Sequence, residues 1–171
     1  MLRTFFAALA VTAALGAPAT AHEVKIGTLE LTGLWARATP PNAPAGGGFL
    51  TITNTGDAPD RLIAVSSPDV GQAEIHEMKV ADGVMTMRPL ENGPEIPAHG
   101  TVTLAPGGIH LMFIGLKAPF VAGGELPVTL TFEKAGPVET FLHIEPIGAK
   151  GPGGAGHADK DQGGMTMGTG Q

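Results

Sequence analysis

The chain has 171 residues, 16 acidic and 10 basic, with 26 glycines, 15 prolines and neither cysteine nor tyrosine. So many helix breakers exclude a coiled coil or helical bundle, and 43% hydrophobic against 15% charged residues is too apolar for disorder throughout. A net charge of −6 argues against a nucleic-acid binder, which needs a basic face to displace counterions from phosphate; cations or basic partners suit it better.

The first element in chain order is an export address. Arg3 supplies a positive end, Phe5 to Leu15 an apolar run, and Ala19-Thr20-Ala21 a small-x-small cleavage pattern. The run is too short to span a bilayer, so no membrane insertion of the mature chain is expected. Cleavage after Ala21 removes residues 1–21 and leaves His22 at the amino terminus of a periplasmic protein. An exported domain without cysteine uses no disulfide, and any soft metal ligand in it must be a thioether.

From Val24 to Pro146 short apolar segments alternate with Gly, Pro, Asn and Asp about every ten residues, the pattern of a sandwich or barrel. The predicted strands are Val24 to Leu31, Gly48 to Asn54, Arg61 to Ser66, Ala73 to Val80, Val84 to Leu90, Thr101 to Ala105, Ile109 to Leu116, Leu126 to Glu133 and Val138 to Glu145. The fold class is therefore all-β, a sandwich of about eight to nine strands over residues 22–147. Residues 148–171 read as a flexible, disordered tail, with nine glycines among 24 residues and no apolar periodicity. Its Gly151-Pro152-Gly153-Gly154-Ala155-Gly156 spells a dinucleotide fingerprint but lacks the preceding strand and following helix that such a site needs.

Methionine and histidine share the same short stretches. Beyond the initiator, methionines stand at 78, 85, 87, 112, 165 and 167, and histidines at 76, 110 and 157 accompany them, whereas residues 22–77 contain no methionine. Core filler would be scattered along all the strands. Asp82-Gly83 is a strong hairpin signal, and a turn there opposes residues whose numbers sum to 165. Met78 then faces Met87, Val80 faces Met85, and His76, Met78, Met85 and Met87 share one face. On the other face Glu77 meets Arg88, an opposite-charge pair that supports the register.

In Ile109-His110-Leu111-Met112-Phe113 the odd positions make a core face, which sends His110 and Met112 together to the opposite side. Imidazole and thioether without thiolate suit Cu(I); thioethers serve zinc, calcium or magnesium poorly. Met87 and Met112 stand ahead of Met78 and Met85 as ligands. A single His or Met on a strand is usually filler. It is the pairing of two His-x-Met units around Met85-Thr86-Met87 that favours a metal site.

These residues also carry a family resemblance. His76-Glu77-Met78, Gly83-Val84-Met85-Thr86-Met87-Arg88-Pro89, Ile96-Pro97-Ala98 and Pro106-Gly107-Gly108-Ile109-His110-Leu111-Met112 resemble the periplasmic copper chaperone family PCuAC. The likeness runs from Trp35-Ala36-Arg37-Ala38 through Ile52-Thr53-Asn54-Thr55-Gly56 to Phe132-Glu133. It implies a cupredoxin-like, Greek-key sandwich with Cu(I) ligands at His76, Met87, His110 and Met112, Met85 being the alternative to Met87. It further implies delivery of copper to the Cu(A) centre of cytochrome c oxidase, with Cu(B) as a second destination. The implied partners are the oxidase copper subunit and a Sco-type chaperone. A monomer is expected, with metal-linked association as the alternative.

A secondary copper set, suited to Cu(II), is offered by His22 with its free amine and by His157, Met165 and Met167 in the tail. His99 reads as a turn residue, and His143 as packing or surface. Glu74 and Glu77, three apart on a strand, point to opposite faces and make no acid–base pair. No Ser-His-Asp arrangement is recognisable, and no catalytic residue is assigned. The competing readings are a copper enzyme built on His22, a copper-sequestering protein without a delivery target, and a structural sandwich whose His/Met face is packing alone.

Overall fold

A computed structural model describes residues 23–81 and 84–153. The described chain is all-β: β1 Val24–Ile26, β2 Leu29–Arg37, β3 Ala45–Asn54, β4 Asp60–Ser66, β5 Val70–Ala81, β6 Val84–Pro89, β7 Glu95–Ile96, β8 Thr101–Leu104, β9 His110–Leu116, β10 Glu125–Phe132 and β11 Gly136–Glu145. Strands pair in the order β6-β5-β9-β3-β2-β11-β10-β4-β7, with β1 on β2 and β8 on β3. Most neighbours are distant in sequence, as Greek-key connections require. The ladder wraps one apolar core to which both halves contribute: Leu31, Ile52 and Leu104 from one, Leu62, Leu130 and Phe132 from the other.

Eleven strands among the described residues exceed the eight to nine expected, for two local reasons. The stretch read as one strand from Val24 to Leu31 is a hairpin, because Gly27 takes φ +56° and turns the chain so that Val24 pairs with Leu31. A left-handed turn residue of this kind is what a two-residue hairpin needs. Glu95–Ile96 is too short to leave a periodic signal, yet Ile96 is fully buried and pairs with Asp60 on β4.

β3 begins three residues earlier than expected and includes all three glycines 46–48. They are packing positions. A Cβ on Gly48 would lie 2.7 Å from both Leu142 and Phe113, and one on Gly46 would lie 2.7 Å from Phe120. Core rings and methyls occupy the space a side chain would take, so the backbone itself is the packing surface.

The ladder is joined across its middle by the parallel pairing of β2 with β11, Trp35 against His143 and Arg37 against Glu145. The chain then crosses back over this seam. Ala149 is buried against Trp35 and Phe49, and its carbonyl accepts hydrogen bonds from Arg37 Nε at 3.2 Å and Nη2 at 2.8 Å. Gly153 N donates to Glu145 Oε1 at 2.8 Å. Residues 148–153, the first part of the expected tail, thus lie on the sheet; its remainder and the export segment 1–21 fall outside the described residues.

Candidate metal centre

The hairpin of β5 and β6 has the register that the charge pair and the Asp-Gly signal predicted. Met78 pairs with Met87, Val80 with Met85, and Glu77 with Arg88. Arg88 Nε donates to Glu77 Oε1 at 2.5 Å on the face away from the methionines. On its other edge β5 pairs with β9, His76 opposite His110 and Glu74 opposite Met112. Directly opposed residues share a sheet face. Met87, Met85, Met78, His76, His110 and Met112 therefore all project to one side of three adjacent strands, while Ile75, Leu111 and Phe113 fill the core on the other.

The two imidazoles form the buried part of this cluster. His76 is 9% exposed and His110 7%, with ring centroids 6.0 Å apart at an interplanar angle of 64°. A metal–nitrogen bond of about 2 Å plus a ring radius of about 1 Å puts a ligand ring's centroid roughly 3 Å from the ion, so one ion spans two rings at most about 6 Å apart. The observed spacing lies at that limit, which is reached with the ion in line between the two rings. Met78 and Met112 are half-buried, whereas Met85 and Met87 are 59% and 48% exposed on the outer strand β6. The imidazoles are thus the buried part of the face, and the methionines of β6 its exposed rim.

Each histidine is held by a specific acceptor. His110 Nδ1 donates to Gly108 O at 3.1 Å, and the same carbonyl accepts from Met78 N at 3.2 Å, tying the entrance of β9 to β5. Gly108 follows Gly107, whose φ of +82° forms the turn that aims this carbonyl. His76 Nε2 donates to Glu74 Oε2 at 2.5 Å, while His76 Nδ1 is buried without a hydrogen-bond partner. Phe49 flanks His110 at 6.5 Å between ring centroids and stacks on Trp35 at 4.4 Å. Arg37 lies over both, 5.8 Å from the Trp35 ring and 5.7 Å from Phe49. That packed aromatic block supports one flank of the imidazole pair.

Among the described residues no group of three or more His, Cys, Asp or Glu could hold a metal ion. The face described above offers two imidazoles and thioethers as soft and borderline donors, a combination that suits Cu(I).

Residues 29–144, more than half of the chain, match the family described as "Putative lipoprotein LpqE-like". The chain belongs to the LpqE-like family. Among curated relatives, the LpqE-like chain is 35% identical over 104 residues to "Putative lipoprotein Lxx21020" of Leifsonia xyli, and spans 61% of that protein's length and 61% of its own. Among solved structures, the apo PCuAC domain from PmoF1 is 31% identical with a TM-score of 0.62 over 73% of this chain and 99% of that one. The copper-bound PCuAC domain from PmoF2 is 28% identical with a TM-score of 0.62, over 73% and 98%. The CuI form of DR1885 from Deinococcus radiodurans is 26% identical with a TM-score of 0.52, over 75% and 83%. The resemblance drawn from the sequence motifs is thereby a family assignment, and the all-β expectation matches the PCuAC fold.

Among the described residues, His99 and His143 stand apart from this cluster. His22, His157, Met165 and Met167 of the LpqE-like chain lie outside the described residues. His99 sits in a turn at φ +52°, its Nε2 2.8 Å from Asp57 Oδ1. His143 is half-exposed, edge-on to Phe141 at 5.2 Å between centroids. Sequence reasoning passed over two residues that touch the site. Glu74 was weighed only against Glu77, although as the i−2 neighbour of His76 it had to share that histidine's face. Phe49 left no signal, because its place beside His110 depends on β3 pairing with β9.

Proposed function

We propose that this LpqE-like domain is an exported copper carrier that binds Cu(I) through His76, Met87, His110 and Met112 and passes it on without catalytic turnover. The observation that carries the reading is the placement of imidazole- and thioether-bearing residues of β6, β5 and β9 on one face of three adjacent strands. Two similar proteins of known structure, a copper-bound PCuAC domain and the CuI form of DR1885, support the choice of metal. The lipoprotein description of the family supports an extracytoplasmic, periplasmic location.

Chemistry favours a carrier over a sink. Neutral thioethers bind Cu(I) but exchange more readily than thiolates, and Cu(I) has a filled d shell that imposes little geometry. With Met85 and Met87 exposed at the rim, an incoming ligand reaches the ion from the methionine side while the buried imidazoles still hold it. Transfer to the copper subunit of cytochrome c oxidase, directly or by way of a Sco-type protein, is the delivery step we propose.

Anaerobic competition against a Cu(I) chelator tests the site. One tight Cu(I) per domain is expected, weakened about tenfold or more, some 1.4 kcal/mol, by each of Met87→Ala, His110→Ala and Met112→Ala. Met85→Ala distinguishes the two rim thioethers and is expected to matter less. Unaltered affinity in all of these variants would remove the site. For the secondary set we expect that truncation after Gly153 lowers the number of Cu(II) ions bound and leaves Cu(I) binding intact; an unchanged Cu(II) stoichiometry excludes the tail as a ligand.

A further inference from the structure

We infer that the two histidines present opposite ring nitrogens to copper, His76 through Nδ1 and His110 through Nε2, and that Glu74 is the positioning residue that sets this choice for His76. The inference rests on the Cu(I) reading above and adds to it the ligand atoms and a residue outside the ligand set.

The argument is one of donors and acceptors. A neutral imidazole carries its proton on one nitrogen and offers the lone pair of the other. Gly108 O is a carbonyl and only accepts, so the proton of His110 stands on Nδ1 and its free lone pair is on Nε2. Glu74 is an acceptor to two groups at once, Gln72 Nε2 at Oε1 and His76 Nε2 at Oε2, each at 2.5 Å. A carboxylate with both oxygens so engaged takes the His76 proton on Nε2. The lone pair then falls on Nδ1, a nitrogen buried in a residue 9% exposed and without a protein hydrogen-bond partner.

Leaving such an atom unpaired costs free energy unless something else satisfies it. A metal ion does so. A carboxylate on the far nitrogen is also the usual way a ligating histidine is fixed in tautomer and orientation and made more basic. Glu74 further pairs with Met112 across β5 and β9. Its position couples both His-x-Met units, since it holds one histidine while standing opposite the methionine of the other strand.

Imidazole-labelled protein, ¹⁵N in every histidine ring, tests this by two-bond ¹H–¹⁵N spectra of the full chain before and after anaerobic Cu(I) addition. The metal-free spectra are expected to show Nε2–H on His76 and Nδ1–H on His110. On Cu(I) addition the large shifts are expected at Nδ1 of His76 and Nε2 of His110. Glu74→Ala is expected to mix the His76 tautomers and to weaken Cu(I) binding about tenfold. Glu74→Gln, which keeps an accepting oxygen, is expected to retain the tautomer and most of the affinity, whereas Glu74→Leu, which fills the space without an acceptor, is expected to lose both and carries the test should the alanine variant fail to fold.

Nδ1–H on His76 in the metal-free protein, or copper on its Nε2, overturns the inference even if Cu(I) binds tightly. A folded Glu74→Ala variant with unchanged tautomer and affinity overturns the role of Glu74. If neither histidine responds to Cu(I), the copper reading itself falls, a result separate from the tautomers seen without metal.

Discussion

At the scale of single residues, chemistry and packing make opposite demands on neighbouring positions of β3 and β9. Leu111 and Phe113 face the core, where Phe113 reaches so close to Gly48 that no side chain fits there. His110 and Met112, one residue out of phase, are freed for the opposite face. Gly48→Ala should therefore destabilise the fold by about 1–3 kcal/mol through overpacking against Leu142 and Phe113, seen as a lower denaturant midpoint at unchanged slope. A neutral substitution there would mean that the ring and methyl relax freely.

At the scale of elements, the β5–β6 hairpin is the unit that carries the rim thioethers. Its register was legible because three independent signals agreed: the Asp-Gly turn, the alternation of His and Met, and the Glu77–Arg88 pair. Agreement across levels is what specifies a register when a slip of one residue would invert every side chain. The ion pair itself adds little, because the Arg88 side chain is 58% exposed and water screens it. A double-mutant cycle on Glu77→Gln and Arg88→Gln is expected to return a coupling of no more than about 1 kcal/mol by thermal or chemical denaturation. A much larger coupling would make the pair a structural clamp rather than a register mark. The hairpin at Gly27 and the two-residue β7 were not legible: the first lies inside a stretch, Val24 to Leu31, short enough to read as one strand, and the second has no length over which alternation can appear.

At the scale of the whole molecule, the parallel β2–β11 pairing and the segment laid across it join chain ends far apart in sequence. Arg37 is central to that closure. It donates twice to Ala149 O and covers the Trp35 and Phe49 rings, so the backbone at 149 is held to the same aromatic block that flanks His110. Hydrogen bonds from a charged group contribute about 1.5–3 kcal/mol when partly buried. Arg37→Gln should release residues 149–153, accelerating tryptic cleavage after Lys150 as read by mass spectrometry, with the rest of the sandwich staying folded. Equal cleavage rates in the two proteins would show that Arg37 does not anchor the segment.

By itself the amino-acid sequence determined whatever depends on neighbours along the chain. Alternation with period two set which side chains share a strand face, turn residues set where hairpins close, and donor types without cysteine set the softness of the site. Only the tertiary structure decided that β5 lies between β6 and β9, so that His76 meets His110 and Glu74 stands opposite Met112. It alone brought Phe49 beside His110 and returned Ala149 to Trp35. The reason is that pairing between strands distant in sequence is chosen by burial of the whole core, a property that no single segment carries.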